Sequence, residues 1–156
     1  MDDVISAGVL RGCPFGGVAI FVKNSICSGV KLICKNSRFI IIMIGDTVLI
    51  NVYLPCAGSD NWDDEYVDCL ALIANKLSEL NYNNIIFGGD LNIDFTSAHP
   101  LHSCVLEFLK DLDLRLLDDL LPADSVTFHV EASGASSFID HFAVTQQLYG
   151  ANLSCE

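Results

Sequence analysis

The chain has 156 residues, of which 51% are apolar, 20 are acidic and 8 are basic, so its net charge is −12. This length and composition suit one globular domain with a substantial core, and the scarcity of Lys and Arg excludes nucleic-acid binding driven by overall charge. The longest apolar run, from Phe39 to Ile44, is too short to cross a bilayer, and the acidic start Met1-Asp2-Asp3 differs from a secretory signal. We therefore expect an intracellular protein, nuclear or cytoplasmic, without a membrane span.

Seven cysteines are scattered among apolar neighbours without a Cys-x-x-Cys pair, which predicts reduced thiols in the core. His99 and His102, with Cys104 nearby, offer a metal cluster as an alternative interpretation. Pro100 suits the first position of a helix, so we predict instead that the two histidines flank that helix entry.

The first third of the chain predicts an antiparallel sheet. We predict that residues 1–15 form an irregular segment and that residues 16–156 form the domain. The predicted strands are Val18–Val22, Val30–Cys34, Arg38–Ile44 and Thr47–Leu54. Gly45-Asp46 joins the last two as a hairpin loop.

Helices and further strands follow. A stripe of apolar residues at three-and-four spacing predicts a helix over Trp62–Leu80, and Pro100 opens a second helix that ends near Asp113. A short apolar segment then precedes two predicted strands, Thr127–Val130 and Ser137–Val144.

The most informative stretch lies between the two helices, from Asn84 to Asn92. Its apolar run ends at two glycines and predicts a buried strand that delivers Asp90 and Asn92 into a tight loop. Such a pair can bind a divalent cation, take a proton from water and hold a phosphate oxygen. The same pattern also describes an ordinary loop whose polar side chains satisfy backbone groups.

Two further residues are candidates on chemical grounds. Alternation places Tyr53 at a strand end, on the face opposite Val52, where its hydroxyl can reach a ligand or a core carbonyl. Asp140 lies in an apolar strand, where a carboxylate is costly unless it is paired, hydrogen-bonded or metal-bound.

Five segments, in chain order, carry a resemblance to a known family: Gly16-Gly17-Val18-Ala19-Ile20, Val52-Tyr53-Leu54-Pro55, Gly88-Gly89-Asp90-Leu91-Asn92, Thr127-Phe128 and Ser137-Phe138-Ile139-Asp140. Over residues 15–148 the chain resembles the endonuclease/exonuclease/phosphatase superfamily, and most of all the endonuclease domain of non-LTR (LINE-type) retrotransposons. The resemblance implies an α/β (α+β) fold, a partial four-layer sandwich of two mostly antiparallel sheets flanked by helices. It also implies Mg²⁺-dependent hydrolysis of phosphodiester or phosphomonoester bonds, with Mn²⁺ as the alternative metal and DNA as the partner.

The resemblance assigns roles to individual residues. Asp90 activates or orients the attacking water and binds the metal, and Asn92 helps to hold the metal and the scissile phosphate. Tyr53 contacts a phosphate oxygen from the neighbouring strand.

Asp140 matches the family's aspartate that orients a catalytic histidine by accepting its ring N–H. Thr127 and Ser137 support the phosphate-facing surface. His141 follows Asp140 directly, and adjacent residues of a strand point to opposite faces. We therefore predict that His141 is an outward or partly buried neighbour, with a catalytic role as the less favoured alternative.

The sequence departs from the family pattern at both ends. The family has an Asn and a metal-binding Glu before the Gly-Gly-Val-Ala-Ile motif, and a Ser-Asp-His strand after the Asp140 motif; this sequence shows neither. We therefore expect a truncated domain with little activity and with open sheet edges that favour self-association. A phosphatase of the same superfamily acting on a small molecule or lipid, and a non-catalytic remnant or interaction module, are the alternatives.

Overall fold

The computed structural model describes residues 17–58, 61–122, 125–130 and 133–151, with the backbone alone at residue 130. Predictions for residues 1–16, and for the thiols of Cys13 and Cys155, lie outside these ranges. Among the described residues no helix is long and apolar enough to cross a membrane.

A six-stranded sheet forms the centre of the fold. Its strands, in chain order, are β1 (Val30–Lys35), β2 (Phe39–Ile44), β3 (Thr47–Tyr53), β4 (Asn84–Asp90), β5 (Leu114–Leu116) and β8 (Asp140–Thr145). Their order across the sheet is β1-β2-β3-β4-β8-β5, and every pair is antiparallel except β3 and β4. The predicted antiparallel sheet and its hairpin at Gly45-Asp46 are therefore confirmed from β1 onward.

The remaining elements are a two-stranded ribbon and three helices. The ribbon pairs β6 (Phe128–Val130) with β7 (Ala135–Ser137), and the helices are α1 (Trp62–Ser78), α2 (His102–Asp111) and α3 (Gln146–Tyr149). Short 3-10 turns occupy Cys27–Gly29 and Asp118–Leu120. Two sheets with helices confirm the predicted α/β class.

The main core lies between one face of the large sheet and the helices. The apolar stripe of α1 buries Tyr66, Ile73 and Leu77, while strand residues such as Ile50 and Phe87 supply the other side. This burial of alternate strand residues matches the alternation read from the sequence, and it is the main stabilising term of the fold.

The opposite face of the sheet also carries apolar side chains, and some are open to water. Leu32 and Phe142, on the strands β1 and β8, are each 54% exposed. Exposed apolar side chains of this size favour association, so self-association of the isolated chain stays a prediction.

One predicted strand is wrong, and a second is interrupted. Residues 18–22 are irregular, and the side chain of Phe21 is 96% exposed. Their one described hydrogen bond to the sheet is from Asn51 Nδ2 to the carbonyl oxygen of Ala19, 3.0 Å, so no strand ladder forms there. The predicted strand over Ser137–Val144 is interrupted at Phe138 and Ile139, because side-chain oxygens of Asp94 and Thr127 accept their N–H groups.

The helix starts and the thiols also differ in detail from the predictions. The helix α2 begins at His102, two residues after Pro100, and the N–H of Leu101 donates instead to His99 Nδ1. Cys69 is buried as expected, but Cys27 and Cys56 are exposed, so the prediction of core thiols is wrong for these two. Both lie in connecting segments, where an apolar neighbour in sequence does not ensure a packed neighbour in space.

Candidate functional site

Three strand ends bring three of the predicted site residues side by side. Tyr53 is the register partner of Asp90 across the parallel pair β3 and β4, and Asp90 is the register partner of Asp140 across the antiparallel pair β4 and β8. All three side chains are partly exposed. The sheet therefore aligns a phenol and two carboxylates in one row at the ends of three central strands, on the face away from the main core.

Two glycines allow the strands to approach closely beside this row. A Cβ at Gly89 would overlap the carbonyl oxygen of Val52 and would lie 2.7 Å from Asn51 Oδ1, and the φ of Gly89 is +129°. A Cβ at Gly88 would overlap the ring of Phe142. The glycine pair is therefore required by packing as well as by backbone conformation.

Asn92 folds back toward the row. Its φ is 52°, its N–H donates to Asp90 Oδ1 at 2.9 Å, and its Nδ2 donates to the carbonyl oxygen of Leu54 at 2.8 Å. These are the backbone bonds of an ordinary Asx loop, as the second interpretation of the pattern predicted. No hydrogen bond from a described residue reaches Asp90 Oδ2 or Asn92 Oδ1, so both oxygens stay available to a ligand.

The electrostatics of the row disfavour two bare carboxylates. Burial raises the pKa of Asp90 above its ordinary value, the N–H of Asn92 opposes that shift, and the charge of Asp140 raises the pKa further. A cation near the two carboxylates would offset both the burial and the repulsion.

Two core side chains support the loop that carries Asn92. The hydroxyl of Tyr66, on α1, donates to the carbonyl oxygen of Leu91 at 2.9 Å, and His141 Nε2 donates to the carbonyl oxygen of Ile93 at 2.7 Å. Tyr66 is fully buried and His141 is 1% exposed. Because these bonds fix the carbonyls on both sides of Asn92, the core determines the position of its side chain. The sequence indicated Tyr66 only as a core residue of the helix stripe.

His141 is buried, so the prediction of an outward or partly buried residue is wrong. Its Nδ1 lies 2.8 Å from Asp118 Oδ2, and the rings of Phe95 and Phe138 pack against it at centroid distances of 4.7 and 4.8 Å. Both ring nitrogens lie within hydrogen-bond distance of oxygens, Asp118 Oδ2 and the carbonyl of Ile93, and an imidazolium paired with the Asp118 carboxylate satisfies both. Its face is opposite that of Asp140, as the alternation along the strand predicted.

Asp118 went unnoticed in the sequence. It stands in the apolar segment that follows α2, and the rule that singled out Asp140 applies to it equally: a carboxylate among apolar residues needs a partner. That signal was present, but only the structure shows that the partner is His141.

Thr127 and Ser137 lie next to the row rather than in it. Thr127 Oγ1 accepts hydrogen bonds from the N–H groups of Ile139 and Asp140, at 3.0 and 3.1 Å, so it fixes the backbone that carries Asp140. Ser137 ends β7, and its carbonyl oxygen accepts from the N–H of Thr127. Their predicted contact with a phosphate stays a prediction.

The donors in the row suit one mode of metal binding. Within the described residues, no group of three or more His, Cys, Asp or Glu side chains is arranged to hold a metal ion. Magnesium is commonly bound by one or two carboxylates together with waters and substrate phosphate, and the row with Asn92 fits that mode. It does not form an all-protein cage.

The described histidines lie away from the row. His102 Nε2 is 3.1 Å from the carbonyl oxygen of Asp94, and the ring of His99 packs edge-on to Trp62. Their predicted place at the entry of α2 is confirmed. No hydrogen bond joins Asp140 to any of the four histidines, all of which are described.

The hydroxyl of Tyr66 offers a direct test of the loop support. Tyr66→Phe should lower the free energy of unfolding by about 1–3 kcal/mol, because it leaves a buried carbonyl oxygen without its donor. Tyr149→Phe is the matched control, since its hydroxyl bonds Asp119 at an exposed position. Urea unfolding measures both variants. Equal, small losses in the two would contradict a supporting role for Tyr66.

No protein-family model and no curated protein matches the sequence. Solved structures do match. The endonuclease domain of TRAS1, a telomere-specific non-LTR retrotransposon, is 17% identical with a TM-score of 0.57, over 78% of this chain and 58% of that one. The 3′-5′ exonuclease NExo from Neisseria meningitidis is 17% identical with a TM-score of 0.55, over 76% and 56% of the two chains.

A third match is a structure of the 3′ phosphatase NExo from Neisseria bound to a product DNA hairpin. It is 15% identical with a TM-score of 0.52, over 78% of this chain and 59% of that one. This chain therefore spans less than three-fifths of each of these structures. At such identities the likeness establishes a shared fold.

Proposed function

We propose that this chain, whose fold is that of the endonuclease/exonuclease/phosphatase superfamily, takes part in metal-dependent hydrolysis of phosphodiester bonds in DNA, as an endonuclease. The observation that carries the proposal is the register of Tyr53, Asp90 and Asp140 across three neighbouring strands. Phosphoryl transfer requires positioning and charge more than covalent partners. The strand ends supply both with a phenol, two carboxylates and a carboxamide.

In this proposal Asp90 and Asn92 hold a Mg²⁺ ion, for which Mn²⁺ is the alternative. The ion, when bound, supplies Lewis-acid polarisation of a phosphate oxygen. Asp90 orients a water and accepts its proton. Tyr53 donates its hydroxyl to a phosphate oxygen.

We further propose that the chain by itself is a slow enzyme. The family role of Asp140 is to orient a histidine, and no described histidine bonds it. Absence of one electrostatic stabiliser typically costs about 10²- to 10³-fold in rate. Asp140 then acts here only through its charge beside Asp90.

Nicking of supercoiled plasmid by the purified chain tests the proposal. With Mg²⁺ we expect slow conversion to the open circle, and with a chelator none. Asp90→Ala should reduce the rate by about 10²-fold or more, because it removes both the metal ligand and the proton acceptor. Asp68→Asn is the control, since Asp68 is exposed on α1.

Two outcomes contradict an endonuclease. No nicking and no Mg²⁺ binding that depends on Asp90, by a chain that melts cooperatively, indicates a non-catalytic scaffold. Equal nicking by wild type and Asp90→Ala indicates a contaminating nuclease.

One observation favours phosphomonoester hydrolysis as a second candidate. The chain carries only 8 basic against 20 acidic residues, which suits a small substrate better than a long polyanion. Release of phosphate from a small aryl phosphate or a soluble inositol phosphate, without nicking, would favour this alternative.

A further inference from the structure

Most basic residues of this chain lie in its first part. Residues 4–45 contain no Asp or Glu and five of the eight basic residues, namely Arg11, Lys23, Lys31, Lys35 and Arg38. Residues 46–156 contain 18 of the 20 acidic residues and only three basic ones. A net charge of −12 therefore conceals a short basic segment, residues 4–45, followed by a longer acidic part, residues 46–156.

In the fold, the described part of this basic segment borders the candidate site. Lys31 and Lys35 are exposed on β1, the edge strand of the large sheet, and Arg38 follows in the connection to β2. The guanidinium of Arg38 lies 5.8 Å from the ring centroid of Tyr53, and the N–H of Tyr53 donates to the carbonyl oxygen of Arg38 at 2.7 Å. Tyr53 is in turn the register partner of Asp90.

We propose that Lys35 and Arg38 form a contact surface for the phosphate backbone of DNA beside the site. The identity of the ligand as DNA rests on the proposed function. Lys31 pairs with Met43 and Lys35 with Ile40, and a bulge between Leu32 and Cys34 separates the two pairs. The two lysines therefore project from opposite faces of β1, and only Lys35 shares the face of the row. Arg38 is the member next to the reacting row.

Glu65 competes with phosphate for the guanidinium of Arg38. Its Nη2 is 3.0 Å from Glu65 Oε2, with 24% of the arginine side chain and 53% of the glutamate side chain exposed. An ion pair this open to water is weak, and arginine has five N–H donors, so a phosphate can share or replace Glu65. Removal of the Glu65 charge should therefore strengthen DNA binding, whereas removal of the Arg38 charge should weaken it.

Lysines on an edge strand also have a purely protective use, because they block pairing with another chain. Protection predicts aggregation when the lysines are neutralised and no change in DNA binding. A phosphate surface predicts a change in the salt dependence of binding, since each phosphate contact releases counterions from DNA.

The experiment is anisotropy of a labelled short duplex, titrated with the full chain in a chelator at several salt concentrations. Lys35→Gln and Arg38→Gln should each reduce the slope of log Kobs against log salt by about 0.9. Lys31→Gln, on the opposite face of β1, should leave the slope unchanged, as should Lys76→Gln and Lys110→Gln in the acidic part of the chain. Glu65→Gln should tighten binding severalfold.

Duplex binding tests the surface, whereas nicking tests the endonuclease proposal. Binding with the expected slopes but without nicking supports the surface while the endonuclease proposal fails. Nicking by a chain whose slopes do not respond to Lys35→Gln and Arg38→Gln overturns the surface alone. Absent duplex binding, equal effects of the control lysines, or binding to anionic lipid vesicles in place of duplex also overturns it. Thermal melts of all variants show whether they remain folded.

Discussion

His141→Ala should lower the free energy of unfolding by about 3–5 kcal/mol, because it leaves the Asp118 carboxylate half-buried without its cation. It also removes the donor to the carbonyl oxygen of Ile93 and opens a cavity beside two phenylalanine rings. Urea unfolding followed by circular dichroism measures the loss.

Two comparisons identify the cause. His129→Ala removes an exposed histidine whose Nδ1 is 2.9 Å from Ser136 Oγ, and it should cost less than about 0.5 kcal/mol. The double variant Asp118→Leu/His141→Leu should be more stable than His141→Leu alone, because it leaves no unpaired charge. If the double variant is the less stable, the pair is not the source of the loss.

The same pair predicts how stability depends on pH. Burial lowers the pKa of His141, but hydrogen bonds to Asp118 and to the Ile93 carbonyl, with the charge of Asp118, outweigh burial and raise the pKa above its ordinary value. The folded chain thus holds this proton more tightly than the unfolded chain does. The resulting stabilisation is complete below about pH 6.5, the ordinary histidine value, and is lost as the pH rises through the folded value.

Gly89→Ala should destabilise the chain by about 3 kcal/mol or more. A methyl group there overlaps the carbonyl oxygen of Val52 on β3, and a φ of +129° is unfavourable for any residue with a Cβ. Because β3 and β4 must then separate, Tyr53 and Asp90 lose their register as well. A lowered melting temperature together with lost Asp90-dependent Mg²⁺ binding is the expected result.

Gly45→Ala is the matched control for backbone strain alone. Gly45 has a φ of +62°, and a Cβ there meets nothing within 4 Å. Left-handed strain without a clash costs about 1–2 kcal/mol. Equal losses at the two glycines would show that strain, and not the approach of β3, limits Gly89.

Local patterns predicted the part of the fold in which neighbours in sequence are neighbours in space. The hairpin of β2 and β3, the helix α1 and the strand β4 follow from alternation, helical spacing and paired glycines, and their ends differ by a few residues from the prediction. The family resemblance, and not a local pattern, implied that Tyr53 lies on the strand next to Asp90, and β3 and β4 are parallel neighbours in the sheet.

The partners of isolated polar residues could not be predicted in this way. Asp118 and His141 are joined across 23 residues, and His141 and Ile93 across 48. The sequence pattern indicates that a charged residue is buried and therefore needs a partner, but it does not identify that partner. For the same reason residues 18–22 look like a strand, although their backbone has no strand beside it among the described residues.

The position of β8 between β4 and β5 has a consequence for synthesis on the ribosome. The unit of β3, α1 and β4 can fold as soon as it emerges, but β4 then has one unpaired edge until β8, made fifty residues after Asp90, inserts beside it. Asp140 and His141 both lie on β8 and are therefore synthesised together. A premature stop before residue 140 should yield an aggregating product with an open strand edge, because Asp90 and Asp140 come together only in a chain translated through β8.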